Sequence, residues 1–188
     1  MRARMALNLA EVPFTLHEVS LKDKPAKMLE ISPKGTVPVL QLADGLVIEE
    51  SLEIALWAFD QQDPQHYLQD NEGLKNALEL IEKNDGEFKH WLDRYKYADR
   101  HLEFSPEYYR DKGEEFLQQL EHRLQQSRFL MGEQPCIADM AIMPFVRQFA
   151  HVDREWFYAT PYPRLQLWLF QWLESDLFKK IMAKPPKN

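Results

Sequence analysis

The sequence predicts an α/β N-terminal half followed by an all-α C-terminal half, and three observations lead there. Up to about Asp60, short apolar runs alternate with helical patterns. A polar, proline-containing stretch, Gln61-Gln62-Asp63-Pro64-Gln65-His66, then breaks the pattern. After it, every long segment has helical periodicity. The 188 residues accordingly divide into a first domain over 1–60, a linker over 61–70 and an all-helical domain over 71–188.

The elements follow in order. Met1, Met5 and Leu9, flanked by Leu7, recur at helical spacing, with Arg2, Arg4, Asn8 and Glu11 on the opposite face. Val12-Pro13 ends this helix, and Phe14 to Val19 reads as a strand. A second helix is expected from Pro25 to Ile31. Pro33-Lys34-Gly35 is a turn, after which Val37 to Leu42 reads as a strand with Pro38 at its mouth, where a missing ladder donor is tolerated. The Val37–Pro38 bond is one where a cis peptide costs little. Asp44-Gly45 is a hairpin signal between apolar runs, so Leu46-Val47-Ile48 is the partner strand. Glu50-Ser51 opens the next helix, through Ile54 to Phe59, with serine as a favoured cap.

In the second half, Asn71 to Tyr97 carries Leu74, Leu78, Ile81, Phe88, Trp91, Leu92 and Tyr95 on one stripe. Pro106 to Gln126 carries Tyr109, Phe116, Leu117, Leu120 and Leu124. Ile137 to Ala150 is apolar nearly all round, as expected of a central buried helix. Pro163 to Leu173 and a short final turn to Met182 close the pattern, with Trp156, Trp168 and Trp172 as packing residues.

Composition narrows the function. A net charge of −7 and a pI near 5.4 argue against a nucleic-acid or anionic-membrane surface, so the run Arg94 to Arg100 reads as a solvated helix face. The sequence has no apolar run long enough for a membrane-spanning helix. One cysteine cannot form an internal disulfide, which fits a reducing cytoplasm. No metal-ligand cluster or glycine-rich phosphate loop is visible among six Gly and six His.

One stretch carries chemistry. A Val37 main chain turned outward beside Pro38 can pair with an extended ligand as an added strand. Ser51 and the N–H groups at its helix start suit a carboxylate, and Glu50 beside it suits an ammonium. Together they describe a receptor for an amino-acid head group.

These residues, Pro33-x-Gly35-x-Val37-Pro38-Val39-Leu40 and Glu50-Ser51-x-x-Ile54, with Ile137-Ala138-Asp139 after Phe129-Leu130-Met131-Gly132, resemble the glutathione S-transferase family, in its bacterial branch near the omega and beta classes. The resemblance implies a thioredoxin-like first domain and glutathione as substrate, with no metal. It also implies a homodimer and a small electrophilic or disulfide co-substrate. It places glutathione contacts at Lys24, Val37, Pro38, Glu50 and Ser51, with Lys34 a lesser option for the glycyl carboxylate. Trp91 and Tyr95 are the candidates facing the co-substrate. Cys136 falls where the family usually caps the core helix with Ser or Thr, Asp139 completing a capping box, and reads as structural rather than nucleophilic.

One element of the pattern is not found. The family's first strand and the loop bearing its catalytic Cys, Ser or Tyr would precede the first helix, which here begins at Met1, so no catalytic residue is assigned. Either Met1 is internal to a longer product, or the chain keeps the pocket without catalysis. The function implied is conjugation of glutathione to an electrophile, or reduction of mixed disulfides, when that loop is present. The alternatives are a catalytically silent binding module and, more weakly, a two-domain glutaredoxin. Turnover by the 188 residues alone is expected to be very weak or absent.

Overall fold

A computed structural model describes residues 1–183. The chain forms two compact units, one of Met1–Gln65 together with the last helix, the other of His66–Ser175.

In the first unit, α1 (Arg2–Leu9) packs against α3 (Ser51–Gln61) and against α10 (Asp176–Met182). Met5, Ala6, Ala10, Ile54, Ala55 and Ala58 are almost wholly buried; the small side chains of Ala6, Ala55 and Ala58 let helix backbones approach closely. The final helix, which the sequence reading gives to the second domain, therefore belongs by contact to the first unit. Arg4 Nη1 donates to the Ile181 carbonyl at 3.3 Å and so ties α10 to α1.

The polar face expected for α1 is only partly exposed. Arg2 is buried at 5% exposure, and Arg4 is half-buried and ion-paired with Glu18. A short helix packed on two neighbours has too little free circumference to keep every charged residue in water.

The strand expected over Phe14 to Val19 does not form. The segment has no regular secondary structure, and Phe14 and Leu16 are each 36% exposed. Among the described residues no strand runs beside it, and a strand needs a partner to accept its ladder bonds. α2 (Ala26–Ile31) is present as expected. The predicted hairpin is real but short: β1 (Leu40–Gln41) pairs antiparallel with β2 (Val47–Ile48), Leu40 opposite Ile48 and Gln41 opposite Val47. Gly45 takes φ +93° in the turn, where the Asp44 carboxylate accepts from the Leu46 N–H.

The second unit is built around α7 (Ile137–Ala150), whose residues from Ile137 to Pro144 are all buried. The long helix expected over Asn71 to Tyr97 is present as α4 (Asn71–Lys83), a π-helical turn (Asn84–Phe88) and α5 (Lys89–Lys96). That turn shifts the buried stripe, which runs through Ala77, Ile81, Asn84, Phe88, Leu92 and Tyr95; Leu74, Leu78 and Trp91 lie at its margin, half-buried. α6 (Pro106–Gln126) buries the five apolar residues expected, together with Gly113.

Asp139 organises the core from the first turn of α7. Its carboxylate accepts from the main-chain N–H groups of Leu130 (2.9 Å) and Cys136 (3.1 Å) and from Trp168 Nε1 (2.8 Å). The expected capping box is thus present, and it reaches α9 (Pro163–Glu174) through the indole of Trp168. Part of the expected linker is also structural: Tyr67 is buried, and its carbonyl accepts from the Ile137 N–H at 2.9 Å. A further helix, α8 (Arg154–Ala159), was not expected; it is short and capped by Asp153, whose carboxylate accepts from the Trp156 N–H at 2.9 Å. No described helix is long and apolar enough to cross a membrane.

Candidate functional site

The hairpin's register arranges the site. Because Leu40 pairs with Ile48, the segment entering β1, with Val37 and Pro38, and the segment leaving β2, with Glu50 and Ser51, lie toward the same end of the ladder. Four residues that the sequence singles out for one ligand therefore belong to one end of one hairpin.

The Val37–Pro38 bond is cis. Val37 is 50% exposed, and its N–H and C=O have no hydrogen-bond partner among the described residues. Backbone groups this exposed and unpaired are what an added strand requires.

Glu50 proves to be the cap residue of α3, and Ser51 its first helical residue, one position later than the sequence suggests. No side chain satisfies the helix start, so its first N–H groups remain open to an anion. The Ser51 hydroxyl faces Arg2, whose Nη1 lies 3.5 Å away.

Charge is gathered at Glu49 and Glu50. Lys34 Nζ lies 3.3 Å from Glu49 Oε2 and 3.9 Å from Glu50 Oε1. The buried Ser32 hydroxyl donates to Glu49. The Ser32 bond and then Lys34 hold the Glu49 carboxyl below its ordinary value of 4.5. The sequence suggests no role for Ser32 or Glu49, and for Lys34 only a lesser option for the glycyl carboxylate, not a pairing with Glu49 and Glu50. The signal was present as two adjacent carboxylates with a lysine in the facing turn, but only the fold shows that they meet.

Lys24 is exposed and lies near the turn. A β-carbon added at Gly35, where φ is +60°, would sit 3.1 Å from Lys24 Nζ and 3.0 Å from Leu29 Cδ2. The turn thus needs a glycine both for its left-handed backbone and for its lack of a side chain.

The second unit holds the other candidates. Trp91 is half-buried, stacked on Tyr109 at 6.4 Å and edge-on to Tyr108 at 6.3 Å. Tyr95 is only 6% exposed and packs on Phe149 at 5.0 Å. Cys136 is fully buried, and burial followed by the Asp139 charge pushes its thiol up to about 12. It is a core residue with almost no thiolate at neutral pH. No cluster of three or more metal-ligating side chains occurs among the described residues.

Residues 1–61 match the glutathione S-transferase N-terminal domain, and residues 64–169 match the glutathione S-transferase C-terminal domain. The chain belongs to the glutathione S-transferase family. A glutathione S-transferase named DHAR2 from Arabidopsis thaliana is 26% identical over 112 residues, 54% of this chain. That match spans about half, 52%, of the relative's own length.

Solved glutathione transferases share the fold. Poplar glutathione transferase F1 superposes with a TM-score of 0.80 at 22% identity, over 96% of this chain and 90% of its own. A bacterial family protein, BphK, in a ternary complex, gives 0.79 at 23%, over 95% and 90%. A family member from Pseudomonas fluorescens, which has two glutathione molecules bound, gives 0.80 at 18%, over 95% and 86%. The glutathione S-transferase fold thus extends over nearly the whole chain: a small thioredoxin-like first unit with few strands, then a helical one.

Proposed function

We propose that this chain binds glutathione at the open end of the β1–β2 hairpin and presents its thiol to a small electrophile or mixed disulfide. The observation that carries the reading is the exposed, unpaired main chain of Val37 beside an uncapped start of α3. Val37 and Pro38 receive the cysteinyl unit as a short added strand. Ser51 and the α3 N–H groups take the γ-glutamyl carboxylate, and Glu50 takes the γ-glutamyl ammonium. Lys24, beside Gly35, meets the glycyl carboxylate at the other end of the tripeptide.

The chemistry proposed is that of the glutathione thiolate. In conjugation, its sulfur forms a bond to the electrophilic carbon as the leaving group departs or the acceptor takes up the electron pair. In reduction, it attacks one sulfur of a mixed disulfide, and the other sulfur leaves as a thiolate. Lys24, Val37, Pro38, Glu50 and Ser51 bind and orient the tripeptide; none is assigned a bond-making role. Contact with the co-substrate is assigned to Trp91, which is half-buried, ahead of the buried Tyr95. Action in the cytoplasm as a homodimer belongs to the same proposal and rests on family membership.

Calorimetric titration with glutathione tests it. Binding is expected in the parent chain and is expected to weaken at least ten-fold in Glu50→Ala, Ser51→Ala. Absence of binding by a folded parent, or equal binding by the variant, would overturn the reading.

A further inference from the structure

The hairpin end proposed for glutathione carries a cation of its own. Lys34 Nζ lies 3.3 Å from Glu49 Oε2 and 3.9 Å from Glu50 Oε1. A ligand ammonium that is to reach Glu50 therefore meets a competitor already within ion-pair distance, carried on the Pro33-Lys34-Gly35 turn.

The two carboxylates hold this lysine unequally. Glu49 is the nearer partner and the more sheltered, its side chain 25% exposed against 67% for Glu50. It is also anchored, because the wholly buried Ser32 donates its hydroxyl to it. That bond and then Lys34 hold the Glu49 carboxyl below its ordinary value, so it is ionised at neutral pH. Attraction weakens with distance and with solvent screening, and both favour Lys34–Glu49 over Lys34–Glu50. Among the described residues, the Glu50 side chain has no other hydrogen bond or ion pair.

Charge balance gives Glu49 its role here. Glu49, Lys34 and Glu50 together carry one net negative charge, and Glu49 and Lys34 cancel as a pair. The uncancelled charge is left on Glu50, where the proposed ligand presents its ammonium. Without Glu49, Lys34 has Glu50 as its one carboxylate partner among the described residues. The cluster is then neutral where a cation has to bind.

We infer that Glu49 is a positioning residue: it draws Lys34 off Glu50 and so keeps that carboxylate open to the ammonium of an incoming γ-glutamyl ligand. This role rests on the glutathione reading proposed for the hairpin, and adds to it a side chain that does not itself touch the tripeptide.

Calorimetric titration of glutathione into the parent chain and three variants tests it. Glu49→Gln keeps an acceptor for Ser32 but removes the charge. It is expected to weaken glutathione about 3–5-fold, the upper part of the range for exposed ion pairs. Glu49→Gln, Lys34→Gln returns one net negative charge to Glu50 and is expected to restore affinity to within roughly two-fold of the parent. Glu49→Gln, Lys27→Gln removes the same charge from α2, outside the cluster, and is expected to stay weak. A loss caused only by disturbed structure is not rescued by deleting a second side chain. Unchanged affinity in Glu49→Gln, or equal weakness in both double variants, would overturn the role of Glu49 and leave the glutathione reading standing. Equal rescue by both double variants would overturn it in favour of overall charge. A folded parent that binds no glutathione would overturn the reading and this role together.

Discussion

Phe149 fills the space that a β-carbon on Gly113 would occupy: built onto that glycine, the atom would lie 3.0 Å from Phe149 Cζ and closer still to Cε2. The ring cannot easily move aside, because Phe88 and Tyr95 pack on it at 5.4 and 5.0 Å. A glycine in mid-helix normally costs about 1 kcal/mol relative to alanine. Here it lets α6 approach α7. Gly113→Ala is therefore expected to destabilise the second unit by up to about 2 kcal/mol net, since overpacking costs about 1–3 kcal/mol against a gain in helix propensity of about 1 kcal/mol. Denaturant titration of the two proteins checks this; a more stable variant would show that the core adapts.

Asp139 accepts three N–H groups from Leu130, Cys136 and Trp168, all in the core. Asp139→Ala leaves these donors without a partner, at about 1–3 kcal/mol for each one left buried. A loss of at least about 3 kcal/mol, or failure to fold, is expected. Trp168→Phe removes one donor and leaves the two main-chain bonds, so it should cost clearly less. Thermal melts of the two variants rank them, and the reverse order would count against Asp139 as the organising group.

Cys136 should be inert in the native protein. With its thiol pushed up to about 12, the thiolate fraction at pH 8 is on the order of 1 in 10,000, and the side chain is fully buried. An aromatic disulfide reagent is expected to label it only after unfolding. Rapid labelling of the folded chain would contradict its role as a core residue.

Glu49 gives the candidate site a pH signature. Its carboxyl is held below 4.5 by the Ser32 hydroxyl and then by Lys34. Because the folded value is the lower one, the stabilisation it brings is present above the ordinary carboxylate range and is lost as pH falls through the depressed value. A carboxyl-detected NMR titration should show a midpoint below 4.5, rising in Ser32→Ala and, by less, in Lys34→Gln. An unchanged midpoint in Ser32→Ala would show that the hydroxyl is not its main partner.

Lys24 offers a test of how the tripeptide's far end is held. If Lys24 meets the glycyl carboxylate, Lys24→Gln should weaken glutathione roughly 3–10-fold, within the range of about 0.5–1.5 kcal/mol for a partly solvated contact. The loss should shrink at high salt. Calorimetry at two ionic strengths measures both, and an affinity unchanged at low salt removes Lys24 from the site.

Periodicity and turn chemistry determined much of this protein. The 3.6-residue stripe of α6 and the long, nearly all-round apolar run of α7 mark both as helices, and Asp44-Gly45 marks the hairpin because few residues accept its turn. The Val37-Pro38 and Glu50-Ser51 pairs could be singled out as a candidate site because X-Pro and helix-start chemistry are local properties. What depended on distant partners was not legible. Phe14 to Val19 has strand-like composition, but a strand exists only where another backbone pairs with it. Arg2 looked solvent-facing until α3 and α10 closed around α1, and the last helix joined the first unit although sequence order placed it in the second. Lys34 could not be matched to Glu49 and Glu50 until the hairpin brought residues fifteen or more positions apart within ion-pair distance. Local backbone preference is encoded within a few residues. Pairing, burial and charge proximity are set by what the rest of the chain packs against them.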